Sequence, residues 1–263
     1  MPKIINVLKA IAQSVLTRVP QKVLGKIEEK VQYFQGKGWG AATTDSEVAA
    51  IAVLLNRRSD SGIIALDIGA NVGNWTQSFI KLFPDSTVIA FEPGSAAYKV
   101  LKTRFQNNAN IKSVNLGLSD ENAEVTLYSD SPESALSSLH PRNLQHFNIS
   151  LDKQEKIKVV RLDSWFESQE QLPSPTILKL DVEGHELSAL AGATEVLKRI
   201  KLVQFEFGGG NIDSKTYFQD FWYFFKNLNF DIYRLAPRGP VKVSDYSEVL
   251  EVFRPTNYIA VRK

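Results

Sequence analysis

The 263 residues are 43% hydrophobic and 23% charged, and 31 Lys and Arg against 29 Asp and Glu leave a net charge of only +2. That composition excludes a disordered or low-complexity chain, and a core can form at this length without disulfides or metal. Cysteine is absent, which excludes zinc fingers, iron–sulfur centres and thiol nucleophiles, and the near-neutral balance carries no footprint for nucleic acid.

The chain opens with Ile4, Leu8, Ile11, Val15 and Val19 at helical spacing, interleaved with Lys3, Lys9, Arg18, Lys22 and Lys26. Two readings stand for this segment. One is a basic amphipathic helix resting on an anionic membrane surface; the other is a helix packed on the body of the protein or on a second subunit. Lys9 and Gln13 interrupt the apolar run, no small-residue cleavage site follows, and no stretch approaches the ~20 apolar residues of a membrane span, so a cytoplasmic chain is expected. A glycine-rich break at Gly36–Gly40 precedes a helix capped by Thr44 or Asp45 and running to about Arg57. Residues 1–60 are therefore expected as an N-terminal helical extension and 61–263 as the main domain.

From residue 62, short apolar runs alternate with helical stretches. Strands are expected at Ile63–Asp67, Thr87–Glu92, Ile111–Leu118, Glu124–Tyr128, Lys156–Leu162, Thr176–Leu180, Leu202–Phe207, Phe230–Leu235 and Tyr258–Val261. Helices are expected at Asn74–Phe83, Ala96–Asn107, His185–Arg199 and Tyr217–Leu228. The alternation predicts an α/β fold with a mostly parallel sheet, helices on both faces and one antiparallel strand near the end. Ligands of such sheets bind at the carboxyl ends of the strands.

The first such end reads Leu66-Asp67-Ile68-Gly69-Ala70-Asn71-Val72-Gly73-Asn74-Trp75. Gly69 permits a tight turn and Gly73 a close helix start. The spacing is not that of a dinucleotide fingerprint, and the Lys-Ser/Thr of a phosphate loop is missing. Asp67 would repel a pyrophosphate but favour a sulfonium and ammonium ligand such as S-adenosylmethionine. Glu92, in Phe91-Glu92-Pro93, can accept from both hydroxyls of a ribose. A dehydrogenase reading fails on the same spacing and charge.

These two motifs resemble the first and second motifs of class I S-adenosylmethionine-dependent methyltransferases. Leu178-Lys179-Leu180-Asp181-Val182-Glu183-Gly184-His185-Glu186, followed by Leu190-Ala191-Gly192-Ala193, resembles the hallmark of the FkbM-type family. Asn115–Asp120, Val160–Trp165 and Asn257–Val261 fit the same family, and the likeness spans about residues 40–263. The resemblance implies a Rossmann-like class I fold of seven strands with the last antiparallel, and methyl transfer to a hydroxyl of a sugar, a glycan or a polyketide-like product. By position it implies that Asp67, Gly69, Asn71 and Gly73 shape the methionine pocket, that Glu92 holds the ribose, and that Ser119 and Asp120 sit near the adenine. Asp120 has a turn residue as its plain alternative.

A sugar hydroxyl is a weak nucleophile and benefits from a general base or a metal. Asp181 ends the fourth strand of the main sheet beside the expected donor, and Glu183 and His185 follow where the chain turns into a helix. His185 is the best-tuned base by its ordinary pKa, with a helix-start role as its alternative; Glu183 has the same alternative. Asp181 and Glu206 offer oxygen ligands to a divalent ion; two carboxylates are not a complete set, and no metal is assigned. A polar insertion, about 129–170 with its irregular part at 129–155, is expected to form a lid that selects the acceptor. It carries His140, a further candidate base. Tyr33, Trp39 and Trp165 are candidates to stack on a sugar face, and Asn148-Ile149-Ser150 carries no weight as a glycosylation site. The first rival is the same enzyme class with another acceptor, such as a macrolide-like product or an amine; a non-catalytic adenosyl-binding or interaction module is the rival of another class, and the intact Asp67–Gly73 and Asp181–Glu186 runs argue against it.

Overall fold

The computed structural model describes residues 17, 19–40, 44–55, 62–169 and 172–263. Ile4, Leu8, Ile11 and Val15 of the first stripe, and Arg57, lie outside the described residues. The strands are β1 Ile64–Ile68, β2 Thr87–Phe91, β3 Ile111–Val114, β4 Gly117–Leu118, β5 Ala123–Ser129, β6 Lys153–Val160, β7 Ile177–Leu180, β8 Leu202–Phe207, β9 Phe230–Ala236, β10 Gly239–Val243 and β11 Thr256–Arg262. The helices are α1 Gln21–Phe34, α2 Thr44–Leu54, α3 Asn74–Leu82, α4 Ser95–Phe105, α5 Leu162–Glu167, α6 Glu186–Ala191, α7 Thr194–Leu197, α8 Gly210–Ser214 and α9 Phe218–Asn227.

Eight strands form the main sheet in the order β10-β9-β11-β8-β7-β1-β2-β3. β3, β2, β1, β7 and β8 run parallel, and β11 is inserted antiparallel to both β8 and β9. That is the expected α/β sheet with its antiparallel last strand. β10 adds an eighth strand as a hairpin on β9, turning at Pro237 and Arg238. The order reverses beside β1, so the ends of β1, β2 and β7 open a crevice where a ligand can enter.

Period-2 alternation sends the strand side chains to two cores. On one face Leu66, Ile68, Phe91, Leu178 and Phe205 pack beneath Leu190, Phe221 and Phe225. On the other, Ala65, Val88, Ile177 and Leu202 meet Trp75, Phe79 and Ile51. Ile51 and Val48 belong to α2, so this helix packs into the core of the sheet.

Three sequence readings change. The strand expected over Ile111–Leu118 divides at Asn115, whose Nδ2 donates to Glu92 O and Pro93 O at 2.9 Å each. β3 stays in the main sheet, and β4 joins β6 and β5 in a separate three-stranded sheet, with β4–β6 parallel and β5–β6 antiparallel. The strand expected over Lys156–Leu162 therefore never enters the main sheet. The single helix expected over His185–Arg199 breaks at Gly192 and Ala193: Asp163 N donates to Gly192 O (3.0 Å), and the Asp163 carboxylate accepts from Glu195 N and Val196 N to start α7. The irregular part of the insertion is the connection between β5 and β6; its remainder is strand β6 and helix α5.

Candidate active site

Glu92 stands just beyond β2 and is only 6% exposed. Its two oxygens are held separately: Gly94 N donates to Oε1 and Asn71 N to Oε2, both at 2.8 Å. Burial pushes its carboxyl up to about 7, against the pull of those two N–H groups. Gly69 and Ala70 each donate their N–H to Phe91 O, which folds the β1 loop over the end of β2. Gly69 has φ +73, and a Cβ there would lie 1.9 Å from Asp181 O, so only glycine lets the β1 and β7 loops touch. Asn71 takes a left-handed conformation (φ 49) and its Nδ2 donates to Ser134 O (3.1 Å), tying the cradle to the long β5–β6 loop.

These groups border a cavity that opens to solvent. Glu92, Asn71 and Gly69 line one side, Pro93, Gly117, Leu118, Leu127 and Ile157 an apolar end, and Asp181, Val182, Glu183 and His185 the other side. The apolar end comes largely from the small sheet. The loop contributes Ser134, Ala135, Ser137 and Leu139 as a cover.

Four residues expected at the cofactor lie outside this cavity. Asp67 is fully buried behind the wall, bonded by Thr76 Oγ1 (2.6 Å) and paired with Lys179 Nζ (3.0 Å), so it does not face the donor. Gly73 packs against Leu101 and Phe105 of α4 instead of a ligand. Ser119 and Asp120 border an adjoining hollow with His140, Lys156 and His185, on the far side of His185 from Glu92. Tyr33 is 48% exposed on α1, while Trp165 is buried against Phe91.

Sequence reasoning missed the seam behind the cavity. The pairing register sets Asp67, Lys179 and Gln204 side by side on three adjacent strands. Gln204 donates to Glu47 Oε2 of α2 (2.7 Å) and accepts from Trp75 Nε1 of α3 (3.1 Å). Burial works against the Lys179 ammonium, but Asp67 and Asp181 outweigh it and keep it charged. Lys179 also donates to Gly69 O (3.0 Å), so the seam holds the cradle in place from behind.

The strand ends continue the seam into the open as a cluster of carboxylates. Asp181 follows β7 and Glu206 lies within β8; together with Glu183 they bring acceptor oxygens within 4.8 Å of one another. Glu183 has φ 53, and Glu186 fixes this turn by accepting from Val182 N (3.0 Å) and Gly184 N (3.1 Å). Burial, then the neighbouring Asp181, pushes Glu183 up to about 7, and the same causes hold Glu206 well above the carboxylate range. Arg142 reaches from the loop to bond the Glu183 carboxylate and places its Nε 3.2 Å from Asp213 Oδ2. Such a set can take a proton near neutrality or offer three oxygens to a hard divalent ion.

His185 lines the same cavity as Asp181 and Glu183, with both ring nitrogens near other side chains. Its Nε2 is 3.0 Å from Ser119 Oγ and its Nδ1 3.4 Å from His140 Nε2, and it makes no side-chain cap to α6. Burial, with His140 second, pushes it down to about 4, which makes it a weak base. His140 is half-buried beside it rather than exposed on a loop.

The fold and the site are those of an S-adenosylmethionine-dependent methyltransferase. The family described as Methyltransferase FkbM domain matches residues 67–232, more than half of the chain, and the chain belongs to that family. It is 28% identical over 178 residues to hexuronic acid methyltransferase AglP of Haloferax volcanii, covering 67% of this chain and 68% of that protein. It is 24% identical over 194 residues to 2-O-methyltransferase NoeI of Sinorhizobium fredii, covering 70% and 78%. A solved O-methyltransferase from Bacillus cereus in complex with SAH is similar over 97% of each chain, with TM-score 0.46 and 12% identity. Among the described residues no helix is long and apolar enough to cross a membrane.

Proposed function

We propose that the chain methylates a hydroxyl of a sugar or glycan, with the Asp181–Glu183–Glu206 cluster receiving the hydroxyl proton. One observation carries the reading: a cavity bordered by the Glu92 carboxylate is also lined by Asp181 and by Glu183, whose carboxyl is raised to about 7. Two relatives, a hexuronic acid methyltransferase and a 2-O-methyltransferase, support a sugar acceptor.

S-adenosylmethionine supplies an electrophilic methyl group on a sulfonium. The S–CH3 bond breaks as the O–CH3 bond forms, the hydroxyl proton passes to a carboxylate, and S-adenosylhomocysteine leaves. Glu92 orients the ribose, with Gly69 and Asn71 shaping the pocket beside it. Glu206, held above its ordinary pKa, is positioned to retain the proton, while Arg142 holds Glu183 and limits the repulsion within the cluster. The β5–β6 loop covers the cavity and excludes water.

A second reading is favoured by the 4.8 Å convergence: the same carboxylates hold a divalent cation that lowers the acceptor's pKa. The test is transfer of labelled methyl to a panel of hexuronates, neutral sugars and polyketide-like alcohols, with and without chelator. Transfer to sugars alone supports the proposal. Transfer only to the polyketide-like alcohols would refute the acceptor class, and donor binding with no transfer to any acceptor would favour a non-catalytic module.

A further inference from the structure

Helix α1 is built the wrong way round for a helix that packs on its own protein. Val23, Ile27 and Val31 recur every four residues and Phe34 completes the row, yet they are 45%, 50%, 50% and 71% exposed, and α1 has no buried residue. The helix touches the body through its other side: Arg254 bonds Glu29 (3.0 Å) and Gln32 (3.3 Å), which lie more than a quarter-turn around from Ile27. Arg234 Nε anchors the helix end by donating to Gln35 O (2.7 Å). The apolar row is therefore held facing away from the molecule.

We propose that α1 docks the chain on an anionic lipid bilayer. Lys22, Lys26 and Lys30 run along one flank of the apolar row and make no ion pair among the described residues, whereas Glu28 and Glu29 are engaged by Gln32 and Arg254. An outward apolar row beside unpaired lysines is complementary to acyl chains beneath anionic headgroups. It suits a second copy less well, because a two-fold antiparallel pairing of the rows sets one lysine flank against the other. The surface also lies close to the site. Lys37 Nζ donates to Val249 O (3.0 Å), with the Val249 side chain 72% exposed, and Gly40, six residues beyond Phe34, abuts the Glu206 carboxylate. On the function proposed above, on which this one point rests, an acceptor carried at a lipid surface enters from this side.

The test is co-sedimentation of the full chain with phosphatidylcholine vesicles, with and without phosphatidylglycerol, measured without donor or acceptor so that it is independent of methyl transfer. The wild type binds the phosphatidylglycerol vesicles, and binding weakens with salt. Lys22→Glu/Lys26→Glu/Lys30→Glu and Ile27→Ser/Val31→Ser/Phe34→Ser each bind at least about tenfold more weakly, while donor binding by calorimetry is unchanged and shows both variants folded. Failure of the wild type to bind, or undiminished binding by both variants, overturns the proposal. So does a wild-type dimer that the serine variant splits without any vesicle binding, or binding seen only after residues 1–16 are removed; those results assign the row to a second copy or to the chain's own N-terminal segment.

Discussion

Replacing Glu92 by Gln keeps the side chain's shape and changes only what it can accept. In the wild type each oxygen takes one backbone N–H, from Gly94 and Asn71, and keeps a lone pair for a ribose hydroxyl. The amide turns one of those oxygens into a donor, which then faces a backbone N–H and cannot accept from the ribose. Hydrogen bonds to a charged group are worth about 1.5–3 kcal/mol. Losing one and weakening the other gives roughly 2–4 kcal/mol, or about 30- to 1000-fold weaker donor binding. Isothermal calorimetry with S-adenosylmethionine reads this directly. The free protein carries a second signature. Because folding raises the Glu92 pKa to about 7, the folded state keeps a proton that the unfolded state releases, and stability falls as pH rises from the ordinary carboxylate range through 7. The Gln variant lacks that share, on the order of 2–3 kcal/mol, so its urea midpoint exceeds the wild type's at pH 8 more than at pH 5. Donor affinity within about threefold of wild type, in a folded variant, would refute the ribose assignment.

Glu206→Gln is expected to lower kcat by about 10²- to 10⁴-fold, the usual worth of a general base, with donor affinity retained; loss of donor binding instead would place Glu206 in the cofactor pocket. With Glu183 near 7 and Glu206 raised, the wild-type rate climbs with pH through neutrality and levels above it, and a flat profile between pH 5.5 and 8 would exclude the cluster as proton acceptor. Chelation leaves the rate unchanged if a carboxylate takes the proton; loss restored by added magnesium hands the step to the metal reading. Phe79, fully buried, stacked on Trp75 and tilted against Phe83 with ring centroids 4.8 Å away in each pair, joins α3 to the core, so Phe79→Ala should cost about 3–5 kcal/mol in urea unfolding. A cost under about 1 kcal/mol would mean that α3 is not held there.

The signals readable along the chain were local ones. Strand–helix alternation, the turn at Gly69, the carboxylate after β2 and the Asp181–Glu186 run each express themselves within about ten residues, so the fold class and the gathering of Gly69, Glu92 and Asp181 around one cavity were legible along the chain. Glu92 carries this furthest: a lone carboxylate after an apolar strand has little else to do at a sheet's carboxyl edge.

What the linear chain could not express depends on register and on long-range approach. Asp67 reads as a ligand group because it adjoins the glycine loop, but pairing with β7 sets it beside Lys179, and an ion pair inside the sheet uses it up. His185 reads as a base from its ordinary pKa, whereas burial and the approach of His140 from the loop lower it. Glu206 gained its place only when β8 came to lie beside β7, bringing together carboxylates that are 25 residues apart in sequence. Ile111–Leu118 reads as one strand because apolar periodicity says nothing of which sheet a strand joins; Asn115 decides that by bonding across to Glu92 and Pro93. The sequence alone determined the fold class. The tertiary structure decided which carboxylates gather at the strand ends and which way their pKa values move, because burial and like-charge proximity exist only after the strands align.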